Sequence, residues 1–206
     1  MPRLEQVSRA EAGSPRILET YDKHFGDRDP VAEPGTHAGT PGNWWTVFAL
    51  DPQLFGVMLD RQAWQFSEER KLPPKLRELA VARAGWVGGS TFVYSQHCRL
   101  LRRLGIEEER IAAIPSWSSE DFWSPVERVV LGFADDLVAG GGRVSDRRFA
   151  ALKEALPDVA ILELAFIVTT YAQSATLARA LRLEYDDVPD PVVDRSVGTA
   201  NGVSRG

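Results

Sequence analysis

Apolar residues recur at intervals of three and four along most of the chain, which is the spacing of one face of an α-helix. Several of these periodic runs begin at helix-start signals. Ser14-Pro15 and Asp51-Pro52 are cap-and-proline pairs, Leu72-Pro73-Pro74 opens another run, and Ser124 with Glu127 has the form of a capping box. No stretch predicts a strand with confidence. We therefore predict an all-α fold, a compact helical bundle built from helix hairpins.

Predicted helices cover residues 15–25, 52–66, 90–104, 107–114, 145–156 and 158–181. Two more run from residue 74 to the glycines at 85–89 and from residue 124 to the glycines at 140–142. Residues 43–50 are strongly apolar and fit either a helix or a strand, and we interpret them as a helix set at an angle to the next one. The predicted inward face of helix 52–66 consists of Leu54, Phe55, Met58, Leu59 and Trp64.

The pattern divides the chain into three parts. Residues 1–42 form an N-terminal helix followed by a long irregular arm, since residues 26–42 hold three prolines and four glycines. Residues 43–185 form the helical domain. Residues 186–206 are rich in Asp, Pro and Gly, and we predict a disordered tail there.

Composition narrows the classes of function. A net charge of −5 without a Lys/Arg-rich run argues against nucleic acid as a partner. A single cysteine, Cys98, excludes an internal disulfide framework, and no Cys/His cluster has metal-ligand spacing, so we expect no dedicated metal site. The N-terminus lacks an apolar signal core, and no run approaches the ~20 apolar residues of a membrane span. We expect a cytoplasmic protein without a membrane partner.

The stretch from Glu78 to His97 is the candidate site. Three glycines, at 85, 88 and 89, interrupt a helical pattern and predict a tight reversal, after which Ser90 stands where an N-cap belongs. Glu78 lies ten residues before Gly88 and His97 nine after it. At about 1.5 Å rise per residue, both lie roughly 14–15 Å from the bend. If the helices pack antiparallel, the carboxylate and the imidazole come level, as a base and its orienting partner require.

These residues resemble a known family. The run from Arg77 through Glu78 to Arg83, followed by Gly89-Ser90 and by Phe92, Tyr94, Gln96 and His97, is similar to the carboxymuconolactone decarboxylase and alkylhydroperoxidase D superfamily. The resemblance extends over residues 43–185. It implies that superfamily's all-helical fold, and it implies a homo-oligomer, a trimer or hexamer, with active sites near subunit contacts.

The resemblance also indicates which branch of the superfamily this chain is similar to. The peroxidase branch needs a Cys-x-x-Cys pair between the Glu and the His, and those places hold Ser90 and Val93 here. Thiol peroxidase activity is therefore disfavoured, and Cys98 does not replace the pair because it lies on another face of the helix from His97. What remains is the decarboxylase-like branch, which implies cofactor-free acid–base chemistry on a small lactone or carbonyl acid.

In that reading His97 is the proton donor or acceptor and Glu78 orients it. Ser90 and Tyr94 share one helix face with His97, at i, i+4 and i+7. The candidate substrate-binding residues are Ser90, Tyr94, Tyr171, Trp45 and Trp86. Decarboxylation is the leading reaction, but isomerisation, dehydration and lactone hydrolysis need the same pair of groups.

Simpler interpretations stay open. Glu78 also fits a surface charge paired with Arg77 or Arg83, Ser90 a plain helix cap, and the tryptophans core packing. A second class of function is a non-catalytic relative that binds a ligand or assembles with a partner. A closed apolar cavity containing the His97 imidazole would favour the enzyme, whereas a buried His97 bonded only to backbone would favour the second class.

Overall fold

The computed structural model describes residues 1–184, and in this range the regular secondary structure is helical, without strands. Its helices are α1 (Pro15–Phe25), α2 (Asn43–Phe48), α3 (Pro52–Phe66), α4 (Pro74–Val87), α5 (Thr91–Arg103), α6 (Glu108–Ala113), α7 (Pro125–Val138), α8 (Asp146–Ala155) and α9 (Asp158–Leu181). A 3-10 helix, Ile114–Ser119, follows α6. The predicted all-α class is confirmed. The tail predicted at 186–206 lies outside the described residues.

The helix boundaries follow the local start signals. Asp51 accepts hydrogen bonds from the backbone N–H groups of Gln53 and Leu54, and Ser124 with Glu127 forms the predicted capping box. The ambiguous segment after residue 42 is helical. The helix predicted at residues 107–114 is α6, which ends at Ala113, and Pro115 lies near the start of the 3-10 helix that follows.

The described residues form two compact units, the first made of residues 1–69 with 177–184 and the second of residues 70–176. The sequence boundaries predicted at residues 42 and 185 stay predictions. In the first unit, α1 buries Ile17, Tyr21 and Phe25, and α3 buries Phe55 and Met58. Leu54 was predicted to face inward, but it is half exposed.

The arm at residues 26–42 contains no helix, as predicted, yet it has a defined path. Backbone N–H groups of Gly35 and Thr36 donate to the carbonyls of Pro41 and Thr40, at 3.0 and 2.7 Å. The Asp29 carboxylate accepts a hydrogen bond from the backbone N–H of Arg9 at 2.7 Å. Because these groups satisfy one another, the proline- and glycine-rich composition gives an ordered loop.

The second unit is built around α4. Four consecutive residues of this helix, Leu79 to Ala82, are fully buried, so α4 is covered around its whole circumference. Helices α5 and α7 pack on it. The guanidinium of Arg83 makes two hydrogen bonds to Asp135 of α7, at 2.5 and 3.2 Å, and a third to the carbonyl of Pro115 at 2.8 Å. This bidentate pair holds α4, α7 and the 3-10 helix together.

Helix α9 bears on the expectation that no stretch of the chain is apolar enough to span a membrane. By length and composition it is apolar enough to cross a membrane, but half of its most apolar stretch is buried inside the protein. Its Glu163 is also buried, and the carboxylate accepts backbone N–H bonds from Lys71 and Leu72, each at 2.8 Å. These features are those of a core helix that anchors the start of α4.

Candidate active site

The turn between α4 and α5 uses a single residue for two purposes. At the end of α4, the backbone N–H of Ser90 donates to the carbonyl of Gly85 at 2.9 Å, and that of Gly89 donates to Trp86 at 3.0 Å. Gly89 has φ +66°, so the two bonds form a Schellman motif. The Ser90 hydroxyl then accepts from the N–H of Val93 at 3.2 Å and caps α5. Ser90 therefore ends one helix and starts the next.

The glycines of this hairpin have separate roles that the sequence did not distinguish. Of the three, Gly89 takes the left-handed conformation. Gly85 is helical, and a Cβ there would lie 2.7 Å from the backbone nitrogen of Tyr94 and 2.9 Å from Cγ1 of Val93. Gly85 therefore permits close contact between α4 and α5, rather than the turn itself.

Glu78 and His97 meet across the α4–α5 seam as the spacing predicted. Nδ1 of His97 is 2.6 Å from Oε2 of Glu78. Both side chains are buried, with exposed fractions of 5% for His97 and 1% for Glu78. A carboxylate that holds Nδ1–H leaves Nε2 as the nitrogen able to exchange a proton with a ligand. The surface interpretation of Glu78 is wrong, because a surface charge would be exposed.

Arg77 joins this pair, so the ion pair with Glu78 that was considered for a helix surface forms in a buried place instead. Its Nε donates to Oε1 of Glu78 at 2.7 Å, and Arg77 is itself only 8% exposed. Burial would raise the pKa of Glu78, but the nearby charges and hydrogen bonds of His97 and Arg77 outweigh it and hold that pKa below its ordinary value. The Glu78 carboxylate is therefore ionised near neutral pH.

Among the described residues, Tyr171 of α9 also contacts the imidazole of His97. Its ring is perpendicular to that of His97, with centroids 4.4 Å apart and an interplanar angle of 81°. This edge-to-face contact fixes the plane of the imidazole. Tyr171 is thus brought beside His97, and its predicted role in substrate binding stays a prediction.

A cavity of about 290 Å³ opens at the start of α5. Its lining includes three of the predicted substrate-binding residues, and consists of Gly85, Trp86, Gly89, Ser90, Thr91 and Tyr94. Trp86 is 45% exposed and packs edge-on against Tyr94, with centroids 5.3 Å apart. Within residues 1–184, His97 is not among the residues that line this cavity. Tyr94, which lines the cavity, precedes His97 by about one helical turn.

Tyr94 differs from the expectation that its hydroxyl serves the substrate. The hydroxyl donates to the carbonyl of Ile111 at 3.3 Å inside the core, and burial raises its pKa far above the ordinary value. The hydroxyl is therefore committed to packing α5 on α6. Any contact of Tyr94 with a ligand in the cavity is made through the ring.

Trp45 lies in the first unit. Its indole stacks on the imidazole of His24, with centroids 4.4 Å apart, and meets Phe55 edge-on at 6.3 Å. Its predicted role at the substrate stays a prediction. Among the described residues, no three His, Cys, Asp or Glu side chains are grouped so as to hold a metal ion.

Residues 53–136 match the model of the carboxymuconolactone decarboxylase family. An uncharacterised protein of Bacillus subtilis strain 168, YdfG, is 23% identical over 124 residues, which are 60% of this chain and 83% of that protein. The matched family region contains the hairpin from Glu78 to His97.

Solved structures share the fold. An uncharacterised peroxidase-related protein from Ralstonia eutropha JMP134, described as an alkylhydroperoxidase AhpD core, superposes with a TM-score of 0.66 at 18% identity, over 93% of this chain and 97% of that one. The debrominase Bmp8, in a complex with 2,3,4-tribromopyrrole, has a TM-score of 0.65 at 13% identity, over 96% and 98%. At these identities the likeness concerns the fold alone.

Proposed function

We propose that the chain is a cofactor-free acid–base enzyme that acts on a small lactone acid or carbonyl acid. The match of residues 53–136 to the carboxymuconolactone decarboxylase family and the fold shared with an alkylhydroperoxidase AhpD core support this proposal. Decarboxylation, or a related lyase or isomerase reaction, is the chemistry that we assign to it. The observation that carries this proposal is the buried contact of 2.6 Å between His97 and Glu78.

His97 would transfer the proton and Glu78 would orient it. In a decarboxylation, the C–C bond to the departing carboxylate breaks and its electron pair moves into the conjugated carbonyl as a dienolate. The imidazolium form of His97 then gives a proton from Nε2 to carbon, and the enzyme takes up one proton from solvent in each turnover. Glu78 stabilises the imidazolium before the transfer. An isomerisation would use the same atoms, with neutral His97 first accepting a proton from carbon.

Thiol chemistry fits this chain poorly. A two-thiol peroxidase needs a nucleophilic and a resolving cysteine, whereas the sequence has one cysteine, Cys98, which is buried. Ser90, at the cap of α5, stays a neutral alcohol. The cavity beside it has the size for a small molecule, and Trp86 with the ring of Tyr94 gives it an apolar wall.

A second candidate function is favoured by one observation. His97 does not line the described cavity, so a ligand held there without proton transfer would make the chain a non-catalytic binding relative. Against this, the bonded partner of His97 is a carboxylate rather than the backbone. The two candidates differ in what the loss of His97 does to turnover and to binding.

The test is a screen of lactone acids and β-keto acids by NMR in D₂O, which detects both loss of carbon dioxide and deuterium incorporation at carbon. His97→Gln is expected to lower the rate by about 10²–10⁴-fold with little change in helicity. His37→Gln replaces an exposed histidine of the first unit and is the matched control. Turnover that survives His97→Gln would remove His97 from the mechanism. Binding without turnover, unchanged in His97→Gln, would support the second candidate.

A further inference from the structure

Helix α4 begins without a local side chain to cap it. Serine side chains cap α5, α7 and α8, whereas α4 follows Pro73 and has no side-chain cap bond. Because proline has no N–H, the last backbone donors before this helix are those of Lys71 and Leu72. Both donate to the same oxygen of Glu163, Oε2, at 2.8 Å each. The start of α4 is therefore held by a side chain of α9.

Both oxygens of the Glu163 carboxylate are engaged. The residue is 4% exposed, and its second oxygen, Oε1, accepts a hydrogen bond from Arg70 at 3.2 Å. Loss of the carboxylate would leave the buried N–H of Leu72 without this acceptor, which disfavours the present packing. Hydrogen bonds restrict both distance and direction. The contact at Glu163 therefore fixes where α9 lies along the start of α4.

Helix α9 contacts the α4–α5 hairpin at two further points. The ring of Tyr171 packs edge-to-face on His97, with centroids 4.4 Å apart. Near the turn, a Cβ at Gly88 would lie 3.3 Å from the Cβ of Ala175, so this glycine lets α9 pass close to the end of α4. Tyr171 and Ala175 follow Glu163 by eight and twelve residues. At about 100° per residue, the three lie within about 120° of one another, on one side of α9.

We propose that Glu163 is a positioning residue, which fixes α9 along the α4–α5 hairpin and thereby places the ring of Tyr171 against His97. Apolar packing, such as that of Ala175 near Gly88, is not directional and tolerates sliding along the helix axis. A displacement of α9 at Glu163 would move Tyr171, about 12 Å further along the same helix, by a similar distance. The catalytic meaning of this placement rests on the proposed function, in which His97 transfers the proton.

The experiment measures the nuclear Overhauser effect between the ring protons of His97 and Tyr171, with protonated His and Tyr in an otherwise deuterated chain. The signals are assigned by their loss in His97→Gln and in Tyr171→Phe. Glu163→Met keeps the length of the side chain without an acceptor, and Glu163→Gln keeps an acceptor oxygen. Leu164→Ala is the matched control, because it removes a fully buried side chain of the same helix and leaves the bonds of Glu163 in place. Amide exchange at Leu72 reports whether those bonds persist, and circular dichroism checks that each variant is folded.

In the wild type and in Glu163→Gln we expect a clear signal between the two rings and a protected amide at Leu72. In Glu163→Met the protection should be lost and the ring-to-ring signal should fall several-fold, whereas Leu164→Ala should keep both. If Glu163→Met does not fold, Glu163→Asp, whose side chain is one methylene shorter, should show the same loss. A wild type without the signal, an unchanged signal in folded Glu163→Met or Glu163→Asp, or an equal loss in Leu164→Ala or Glu163→Gln would overturn the proposal. Because no turnover is measured, a failure of the proposed function would leave this result readable.

Discussion

At the scale of single residues, burial makes His24 a weaker base. This residue stacks on Trp45, an apolar surface, and burial is the main cause that lowers its pKa from 6.5 to about 4, with smaller contributions from Lys23 and His37. His97 instead has the carboxylate of Glu78 as its bonded neighbour. The two rings are therefore held by different kinds of neighbour.

The depressed pKa of His24 predicts a loss of stability in mild acid. Between about pH 6.5 and 4 the unfolded chain binds a proton at this residue that the folded chain does not, so the free energy of unfolding falls as the pH falls. Thermal unfolding at pH 7, 6 and 5 should show this slope, and His24→Gln should flatten it. His37→Gln should flatten the slope only slightly, because His37 makes the smallest of the three contributions to the pKa of His24. If the slope persists in His24→Gln, another titrating group is its cause.

The lowered pKa of Glu78 predicts a second loss of stability, at lower pH. Its pKa in the folded chain lies below the ordinary 4.5, so its contribution is present above that value and disappears as the pH falls through the folded value. Glu78→Gln leaves Arg77 without its buried anion and should cost about 3–5 kcal/mol at neutral pH. Urea unfolding at pH 7 and pH 3 should show a smaller difference between wild type and variant at the lower pH. An equal difference at both would contradict the assignment.

At the scale of elements, the α4–α5 hairpin depends on how closely its two helices approach. Gly85 contacts the backbone of Tyr94, and this contact lies along the same seam that joins Glu78 to His97. A side chain at position 85 meets main chain, which cannot rotate away. The seam is therefore sensitive to small additions of volume.

Gly85→Ala should destabilise the protein by about 1–3 kcal/mol, because the separation of the helices outweighs the roughly 1 kcal/mol gain in helix propensity. The His97 signals in ¹⁵N NMR should also change, since its bond to Glu78 would lengthen. Gly56→Ala in α3 is the matched control: its new methyl group meets only the flexible end of Arg16 at 3.2 Å, so it should be neutral or stabilising. Equal stability changes in the two variants would contradict the close-approach role of Gly85.

The sequence was sufficient where local chemistry decides the structure. Caps such as Asp51 and Ser124 placed helix starts, and equal spacing from the bend placed Glu78 level with His97. The sequence was insufficient where tertiary contacts decide which side chains are buried and which groups they bind. Leu54 fits the apolar period of α3 but is exposed, and the hydroxyl of Tyr94 is used by Ile111. Pairing of Glu78 with Arg77 was among the simpler interpretations, but that interpretation placed both residues at the surface, whereas both are buried.

At the scale of the whole molecule, α9 carries an apolar stripe at its surface. Val159, Leu162 and Phe166 follow the i, i+3, i+7 spacing of one helix face and are 47%, 69% and 49% exposed. Adjacent exposed apolar residues of this kind commonly mark contacts between proteins. If the chain forms the homo-oligomer that the family resemblance implies, this stripe is where we expect its subunits to meet.

Leu162→Asp should therefore lower the oligomeric state. We expect the wild type to be a trimer or hexamer by light scattering coupled to size-exclusion chromatography, and the variant to be smaller at the same concentration. Val57→Asp removes a comparably exposed apolar side chain, 64% exposed on α3, and should leave the mass unchanged. A monomeric wild type would refute the assembly, and an unchanged mass for Leu162→Asp would place the contact elsewhere.

Ser90 belongs to both helices of the hairpin, so the connection has no spare residue. Inserting or deleting one residue there would rotate α5 by about 100° and shift it by about 1.5 Å relative to α4. Such a change would carry His97 past Glu78 even if both helices stayed intact. A different side chain at position 90 would keep the register of the two helices, whereas a different loop length would not.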